Sequence, residues 1–159
     1  MQIAGIHHVT LIVDDHDRAA WFYGQVLGLE ARRRPDFDFP GLFYQVGSGQ
    51  EVHLIVSARP REDAELVIRR SDGAELSLRH VHRHAALRVK DLTVCQQRLE
   101  DHGVEVLFSA TRGDHAGSLT ENMMAGWRAM YGGIPLFCKD PSGNLIELVP
   151  ASAATGPAS

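Results

Sequence analysis

The feature that most constrains the fold of this chain is an internal repeat, in which the second half copies the residue pattern of the first. His8 and His84 are 76 positions apart near the start of each copy, and Leu54 and Leu148 are 94 positions apart near the end. Two copies are too few for a solenoid. The repeat therefore predicts one domain that is built from two similar modules.

Each copy has the order strand, helix, strands. β-branched and apolar runs predict strands at the start and end of each copy, and Asp15 and Asp91 stand where a helix N-cap belongs. Gly28 and Gly103 stand where those helices end. The predicted strands are 6–13, 42–46, 51–56, 84–89, 136–139 and 145–149, and the predicted helices are 17–27 and 92–102.

The domain boundaries follow from the same pattern. We predict a single domain over 1–150, with module one at 5–57, a linker at 58–79 and module two at 80–150. The tail 151–159 is of low complexity, and we expect it to be frayed. The change in spacing from 76 to 94 places an insertion in the second copy, within 111–133.

The repeat pairs four residues that can bind a metal ion. His8 corresponds to His84 in the first strand of each module, and His53 corresponds to Glu147 in the last strand. Three imidazoles and one carboxylate suit a divalent transition metal. His53 and Glu147 each interrupt an apolar strand, where a polar side chain needs a partner. We expect all four to converge on one ion, with ligand atoms at about 2.0–2.3 Å.

Other interpretations of the histidines compete with this one. A single histidine in a buried strand is more often a hydrogen-bonded core residue than a ligand. His80, His82 and His84 alternate, so on a continuous strand they share a face and form a rival surface site. We interpret His80 and His82 instead as the exposed approach to the strand. On a regular strand His7 points away from His8.

Composition excludes several classes of protein. The net charge of −4 disfavours a protein that binds nucleic acid through its phosphates. No apolar run reaches the length of a membrane span, and two cysteines are too few for a secreted disulfide framework. The sequence lacks the glycine-rich and nucleophile motifs of kinases, dinucleotide-binding enzymes and serine hydrolases. We expect a cytoplasmic protein with a small-molecule substrate and no nucleic acid or membrane partner.

Four segments together resemble the vicinal oxygen chelate superfamily, namely 5–15, 21–29, 83–92 and 139–148. This superfamily includes glyoxalase I, extradiol dioxygenases, methylmalonyl-CoA epimerase and fosfomycin or bleomycin resistance proteins. The resemblance covers roughly 5–150. It implies an α+β fold of two βαβββ modules, whose curved mixed sheets curl around a metal ion, and it implies a homodimer.

The resemblance also implies a ligand set. The usual ligand positions of the superfamily fall on His8, His84 and Glu147, and the fourth ligand of the glyoxalase and epimerase branches falls on His53, where those branches have Glu or Gln. The ion would be Zn, Ni, Co, Mn or Fe(II). The substrate, the choice of metal and the use of a thiol cofactor stay open.

The leading functional interpretation is a metal-dependent enzyme of the lyase or isomerase type, which acts on a small, oxygen-rich substrate that chelates the ion. Glu147 is its predicted catalytic base, since it can leave the ion while three imidazoles keep it bound. One alternative is an Fe(II) extradiol-type dioxygenase, which needs open coordination positions, one of which His53 would occupy. The other is a non-catalytic, drug- or metabolite-binding resistance protein.

The insertion and the aromatic run Trp21-Phe22-Tyr23 lead to two structural predictions. The insertion 111–133 contains apolar side chains and glycines, and we weigh a lid over the metal site against a loop that merely covers a sheet edge. Three consecutive aromatic residues cannot share one side of a helix, so at least one should meet another module or a partner chain.

Overall fold

The computed structural model describes residue 2 and residues 5–57, 67–69, 75–77, 84–109 and 121–151. Two four-stranded mixed sheets with flanking helices give the α+β fold that the sequence predicts. The chain divides into two compact units, of which unit 1 contains 1–61 and 140–144, and unit 2 contains 62–139 and 145–159. The predicted module boundaries stay a prediction, and His80, His82, the tail from 152 and most of the predicted linker lie outside the described residues.

Unit 1 contains the first copy of the repeat. Its sheet has the strand order β1-β4-β3-β2, and β1 runs parallel to β4. Asp15 caps the first helix as predicted, because its carboxylate accepts a hydrogen bond from the backbone N–H of Arg18 at 2.8 Å. The elements are β1 (His8–Val13), α1 (His16–Ala20), a π-helical turn (Trp21–Val26), β2 (Glu30–Arg32), β3 (Gly41–Val46) and β4 (Gln50–Val56).

Unit 2 repeats that topology, with the strand order β7-β10-β9-β8 and β7 parallel to β10. Asp91 caps the helix by accepting hydrogen bonds from the backbone N–H groups of Thr93 and Val94. A two-stranded sheet of β5 and β6 precedes this sheet. The elements are β5 (Val67–Arg69), β6 (Glu75–Ser77), β7 (His84–Val89), α2 (Leu92–Asp101), β8 (Val106–Phe108), α3 (Glu121–Tyr131), β9 (Leu136–Lys139) and β10 (Leu145–Pro150).

The helix predicted over 17–27 differs from the observed one. A single α-helical turn ends at Ala20 and continues as the π-helical turn. The wider turn lets neighbouring aromatic side chains point into the core, so that Phe22 and Tyr23 are both fully buried. The prediction rested on Asp15 and Gly28 as end signals, and these do not show whether the turns between them are α- or π-helical.

Four short strands were not predicted. β2 and β8 extend the two main sheets by one strand each, and β5 and β6 fall within the predicted linker. Each of these strands has only three residues, which is too short for hydrophobic alternation to be recognised.

Each main sheet has a buried face, and in unit 2 the strands β9 and β10 are buried on both faces. In unit 1 this face carries Val13, Val52 and Leu54, and in unit 2 it carries Leu87 and Cys138. Because side chains alternate along a strand, the histidines at the starts of β1 and β7 lie on the opposite faces. None of the helices in the described part of the chain has the length and apolar character needed to span a bilayer.

A buried carboxylate organises the turn between β9 and β10. One oxygen of Asp140 accepts the backbone N–H groups of Ser142 and Asn144, at 2.9 and 2.7 Å. The other accepts the hydroxyl of Tyr23 at 2.8 Å and the side-chain amide of Asn144 at 2.6 Å. The same amide donates to the carbonyl of Ile12 in β1 at 2.9 Å. These bonds hold the turn within unit 1, against β1 and the π-helical turn.

We predict that Tyr23→Phe lowers the free energy of unfolding by about 1–3 kcal/mol, because a buried carboxylate loses one donor. Urea denaturation measures the change. The matched control is Tyr44→Phe, since Tyr44 is also buried but its hydroxyl has no hydrogen-bond partner among the described residues. Equal losses in the two variants would contradict this role of the Tyr23 hydroxyl.

Burial raises the pKa of Asp140 above its ordinary value of 3.8, against the lowering effect of the hydrogen bonds from Asn144 and Tyr23. A raised pKa in the folded state favours the protonated form. We therefore expect the stability of the wild type relative to Asp140→Asn to be greatest below pH 3.8 and to fall as the pH rises through the folded-state pKa. Urea titrations of both proteins across acidic pH test this, and a relative stability that grows with pH would refute it.

Candidate metal centre

Unit 1 brings two of the predicted ligands into contact. His53 lies opposite Thr10 in the parallel pairing of β4 with β1, so its ring reaches the ring of His8, with centroids 4.1 Å apart and planes at 15°. Across the antiparallel pair, His53 lies opposite Phe43, whose ring is parallel to it at 3.5 Å. The imidazole of His53 is therefore held between two rings.

Two further side chains determine which ring nitrogens are available. Nε2 of His53 lies 2.7 Å from a carboxylate oxygen of Glu51, and Nδ1 of His8 lies 3.0 Å from Nδ1 of His7. Nδ1 of His53 and Nε2 of His8 have no hydrogen-bond partner among the described residues. A metal-binding histidine usually gives its other ring nitrogen to a carboxylate or a similar group, so this arrangement fits two ligands.

The position of His7 differs from the one predicted. Its ring meets that of His8 edge to face, with centroids 5.2 Å apart. The prediction assumed a regular strand through both residues, but β1 begins at His8. His7 precedes the strand, so the alternation of side chains does not apply to it.

Unit 2 brings the other two predicted ligands together. Nε2 of His84 lies 2.8 Å from a carboxylate oxygen of Glu147, and the Glu147 side chain is only 4% exposed. Burial raises the pKa of Glu147, and the neighbouring imidazole opposes that rise. The ring of Phe137, which lies opposite Glu147 in the pairing of β9 with β10, is 6.3 Å from that of His84.

The described part of the insertion forms α3, which packs beside this pair. The ring of Trp127 lies 5.8 Å from that of Phe137, and both side chains belong to a cluster with Leu107, Ile134 and Leu145. Residues 111–120 lie outside the described residues. Within unit 2, α3 therefore covers the sheet next to Phe137, and the choice between lid and cover stays a prediction.

The predicted set is thus found as two pairs, one in each unit. In the part of the chain that the structure describes, no group of three or more His, Cys, Asp or Glu side chains is arranged to hold an ion. The convergence of all four on one ion stays a prediction. Sequence reasoning missed Glu51 as the partner of His53, although a spacing of two on a strand was a signal that they share a face.

Comparison with known proteins identifies the family. Residues 5–148 match the model of the Glyoxalase/Bleomycin resistance protein/Dioxygenase superfamily, and the chain belongs to this superfamily. The predicted membership and the predicted fold are therefore confirmed.

Individual relatives are distant. A lactoylglutathione lyase from Pseudomonas aeruginosa is 28% identical, and the match covers 92% of this chain and 82% of that protein. A glyoxalase family protein from Enterococcus faecalis is similar in structure, with a TM-score of 0.59 and 24% identity over 94% of this chain and 99% of that one. Lactoylglutathione lyase from Agrobacterium tumefaciens has a TM-score of 0.58 and 22% identity over 95% of this chain and 96% of that one.

We predict that His53→Ala raises the pKa of Glu51. The hydrogen bond from His53 is the main reason why that pKa is below its ordinary value of 4.5, so its removal should return the carboxyl towards 4.5. NMR titration of the carboxyl carbon measures the shift. His102→Ala is the control, because His102 contacts a backbone carbonyl of its own helix, and an unchanged Glu51 pKa in His53→Ala would contradict the contact.

Proposed function

We propose that this protein is a metal-dependent enzyme of the lyase or isomerase type, which acts on a small, oxygen-rich substrate. The observation that carries the proposal is that the four predicted ligands occur as two preformed pairs, His8 with His53 and His84 with Glu147. Similarity to a lactoylglutathione lyase supports the type of reaction. The alternative of an Fe(II) dioxygenase becomes one outcome of the tests below.

In this proposal, His8, His53, His84 and Glu147 bind one divalent ion, which is Zn, Ni, Co, Mn or Fe(II). Imidazole nitrogens and a carboxylate oxygen are donors that these ions accept. The hydrogen bond of His53 to Glu51 fixes the orientation of the imidazole and makes its other nitrogen a better donor. When bound, the ion supplies a positive charge that stabilises the anion formed as the substrate loses a proton.

Glu147 removes and returns that proton. Exclusion of bulk water strengthens the interaction of a base with its substrate, and the side chain of Glu147 is almost completely buried. In the structure His84 lies 2.8 Å from the carboxylate, so that it is not a buried, unpaired charge. Once the proton has been returned, Glu147 would bind the ion again. In this scheme Glu147 is both the fourth ligand and the catalytic base.

The helix α3 assists by excluding water. Trp127 packs on Phe137, and the ring of Phe137 lies close to that of His84. An apolar layer beside the reacting groups strengthens their electrostatic interaction with a substrate anion. We therefore propose that the insertion 111–133 forms a lid, of which α3 is the part within the described residues.

We also propose that the protein is a homodimer. β1 is an edge strand of its sheet, and it exposes apolar side chains, since Val9 is 36% and Ile12 39% accessible. Preceding it, Ile6 is 74% accessible. Exposed apolar edge strands are usually covered by a partner. Sedimentation at micromolar concentration tests this proposal, and a monomer would refute it.

We predict that His8→Ala and Glu147→Gln each weaken the binding of Zn²⁺ or Ni²⁺ by about tenfold or more, because His8→Ala removes a donor and Glu147→Gln replaces a charged donor with a neutral amide. Isothermal titration of the metal-free protein measures the affinity. The control is His16→Ala, since the exposed ring of His16 pairs only with Asp17 among the described residues. Unchanged affinity in both ligand variants would refute the proposed centre.

A mixing experiment shows whether one chain or two supply the ligands. His8→Ala and Glu147→Gln proteins are unfolded together, refolded and titrated with metal. Recovery of part of the wild-type binding means that chains complement each other across a dimer. Without recovery, the ligands come from a single chain.

We expect turnover of a hemithioacetal in the presence of Ni²⁺ or Zn²⁺, and a loss of about 10²–10⁴-fold in kcat/KM for Glu147→Gln at full metal occupancy. The companion assay offers a catechol with Fe²⁺. Ring cleavage that survives His53→Ala but not Glu147→Gln would replace the lyase or isomerase assignment with a dioxygenase.

A further inference from the structure

A cationic and aromatic cluster lies beside His53 in unit 1, and of its four residues only Phe43 contacts a predicted metal ligand. It consists of Arg34, Phe37, Phe39 and Phe43, and we call it the Arg34 cluster. The guanidinium carbon of Arg34 lies 5.0 Å from the ring centre of Phe37 and 4.7 Å from that of Phe39. Phe43, which stacks on His53, is 6.0 Å from the same carbon.

Packing fixes the guanidinium of Arg34. One Nη group donates to the carbonyl of Phe39, while Nε is buried and has no hydrogen-bond partner among the residues that the structure describes. This position of the guanidinium depends on Gly41. A Cβ at residue 41 would collide with the carbonyl of Leu54 and would lie 3.4 Å from Nε of Arg34. A half-buried cation is less hydrated than one in water, so it attracts an anion more strongly.

The rings next to this cation are open to solvent. Phe37 is 44% and Phe39 39% exposed, and their planes are parallel to within 3°. Exposed aromatic rings that lie side by side form an apolar patch, and such patches often mark binding sites. The cluster therefore offers flat apolar surface around a fixed positive charge.

We propose that the Arg34 cluster binds the part of the substrate that does not react, and that this part is a flat aromatic or conjugated group with a negative charge. Arg34 would pair with the acid, and Phe37 and Phe39 would pack against the flat group. The inference rests on the proposed function for its link to catalysis, because Phe43 joins the cluster to the ring of His53. It predicts a substrate with chelating oxygens at one end and an aromatic acid at the other.

The test uses three probes and the metal-free protein. The probes are 1-naphthoate, its uncharged analogue 1-naphthamide, and cyclohexanecarboxylate, which has the charge without the flat ring. Titrations followed by NMR give the affinity and the residues whose signals shift. We expect naphthoate to shift the signals of residues 34–43 and to bind about tenfold more tightly than either analogue.

Variants locate the two halves of the recognition. Arg34→Gln should remove the preference for naphthoate over naphthamide, whereas Arg33→Gln, the neighbouring exposed arginine, should keep it. Phe37→Leu replaces an exposed ring and should weaken naphthoate by about fivefold without unfolding the protein. A naphthoate affinity that is unchanged in both Arg34→Gln and Phe37→Leu would overturn the proposal, and so would signal shifts confined to other regions.

The metal titration separates this inference from the proposed function. If naphthoate binds at residues 34–43 while no metal binds, the Arg34 cluster stands as a binding site and the metal-dependent reaction fails. If metal binds at the proposed centre but naphthoate does not bind, the substrate class is wrong and the metal centre stands. Arg34→Gln should leave the affinity for Zn²⁺ unchanged, because Arg34 is not a ligand.

Discussion

The turn before β10 depends on the hydrogen bonds that the carboxylate of Asp140 accepts. A buried carboxylate is costly unless donors surround it, and Asp140 receives four, two from the backbone of its own turn and two from the side chains of Tyr23 and Asn144. Gly143 adopts a φ of +81° within the turn, and residues other than glycine rarely adopt such a positive φ. Since Leu145 follows directly, the turn determines where β10 begins, and hence where Glu147 falls along that strand.

Much of this architecture could be predicted because the sequence contains the pattern twice. The strand at His84–Val89 and the two aspartate N-caps are found where they were predicted, and β1 begins at His8, two residues after its predicted start. The π-helical turn could not be predicted, since its widened backbone results from the packing of Phe22 and Tyr23 in the core and not from a periodic pattern. The strands of three residues depend on their neighbours in the sheet in the same way.

The candidate site shows the same division between local and tertiary information. Repeat spacing alone selected His8, His53, His84 and Glu147, and each unit brings its two into contact. Of the partners that orient them, Glu51 lies two residues from His53 on the same strand and was missed, whereas the others depend on where strands begin and how they pair. The stacking of Phe43 on His53 required the antiparallel pairing of β3 with β4. To predict the contact between the rings of His7 and His8, one would need to know that β1 begins at His8 and not before it.

That register also explains how one scaffold can give its two copies different chemistry. Phe43 lies opposite His53, and Phe137 lies opposite Glu147, so a phenylalanine occupies the same place beside each of these two repeat-related residues. A ring can stack on an imidazole, and in unit 1 it holds His53 in a fixed plane at 3.5 Å. Beside a carboxylate it can only exclude water, and in unit 2 burial raises the pKa of Glu147. The same neighbour therefore fixes the ring of a histidine in the first copy and shields a carboxylate from water in the second.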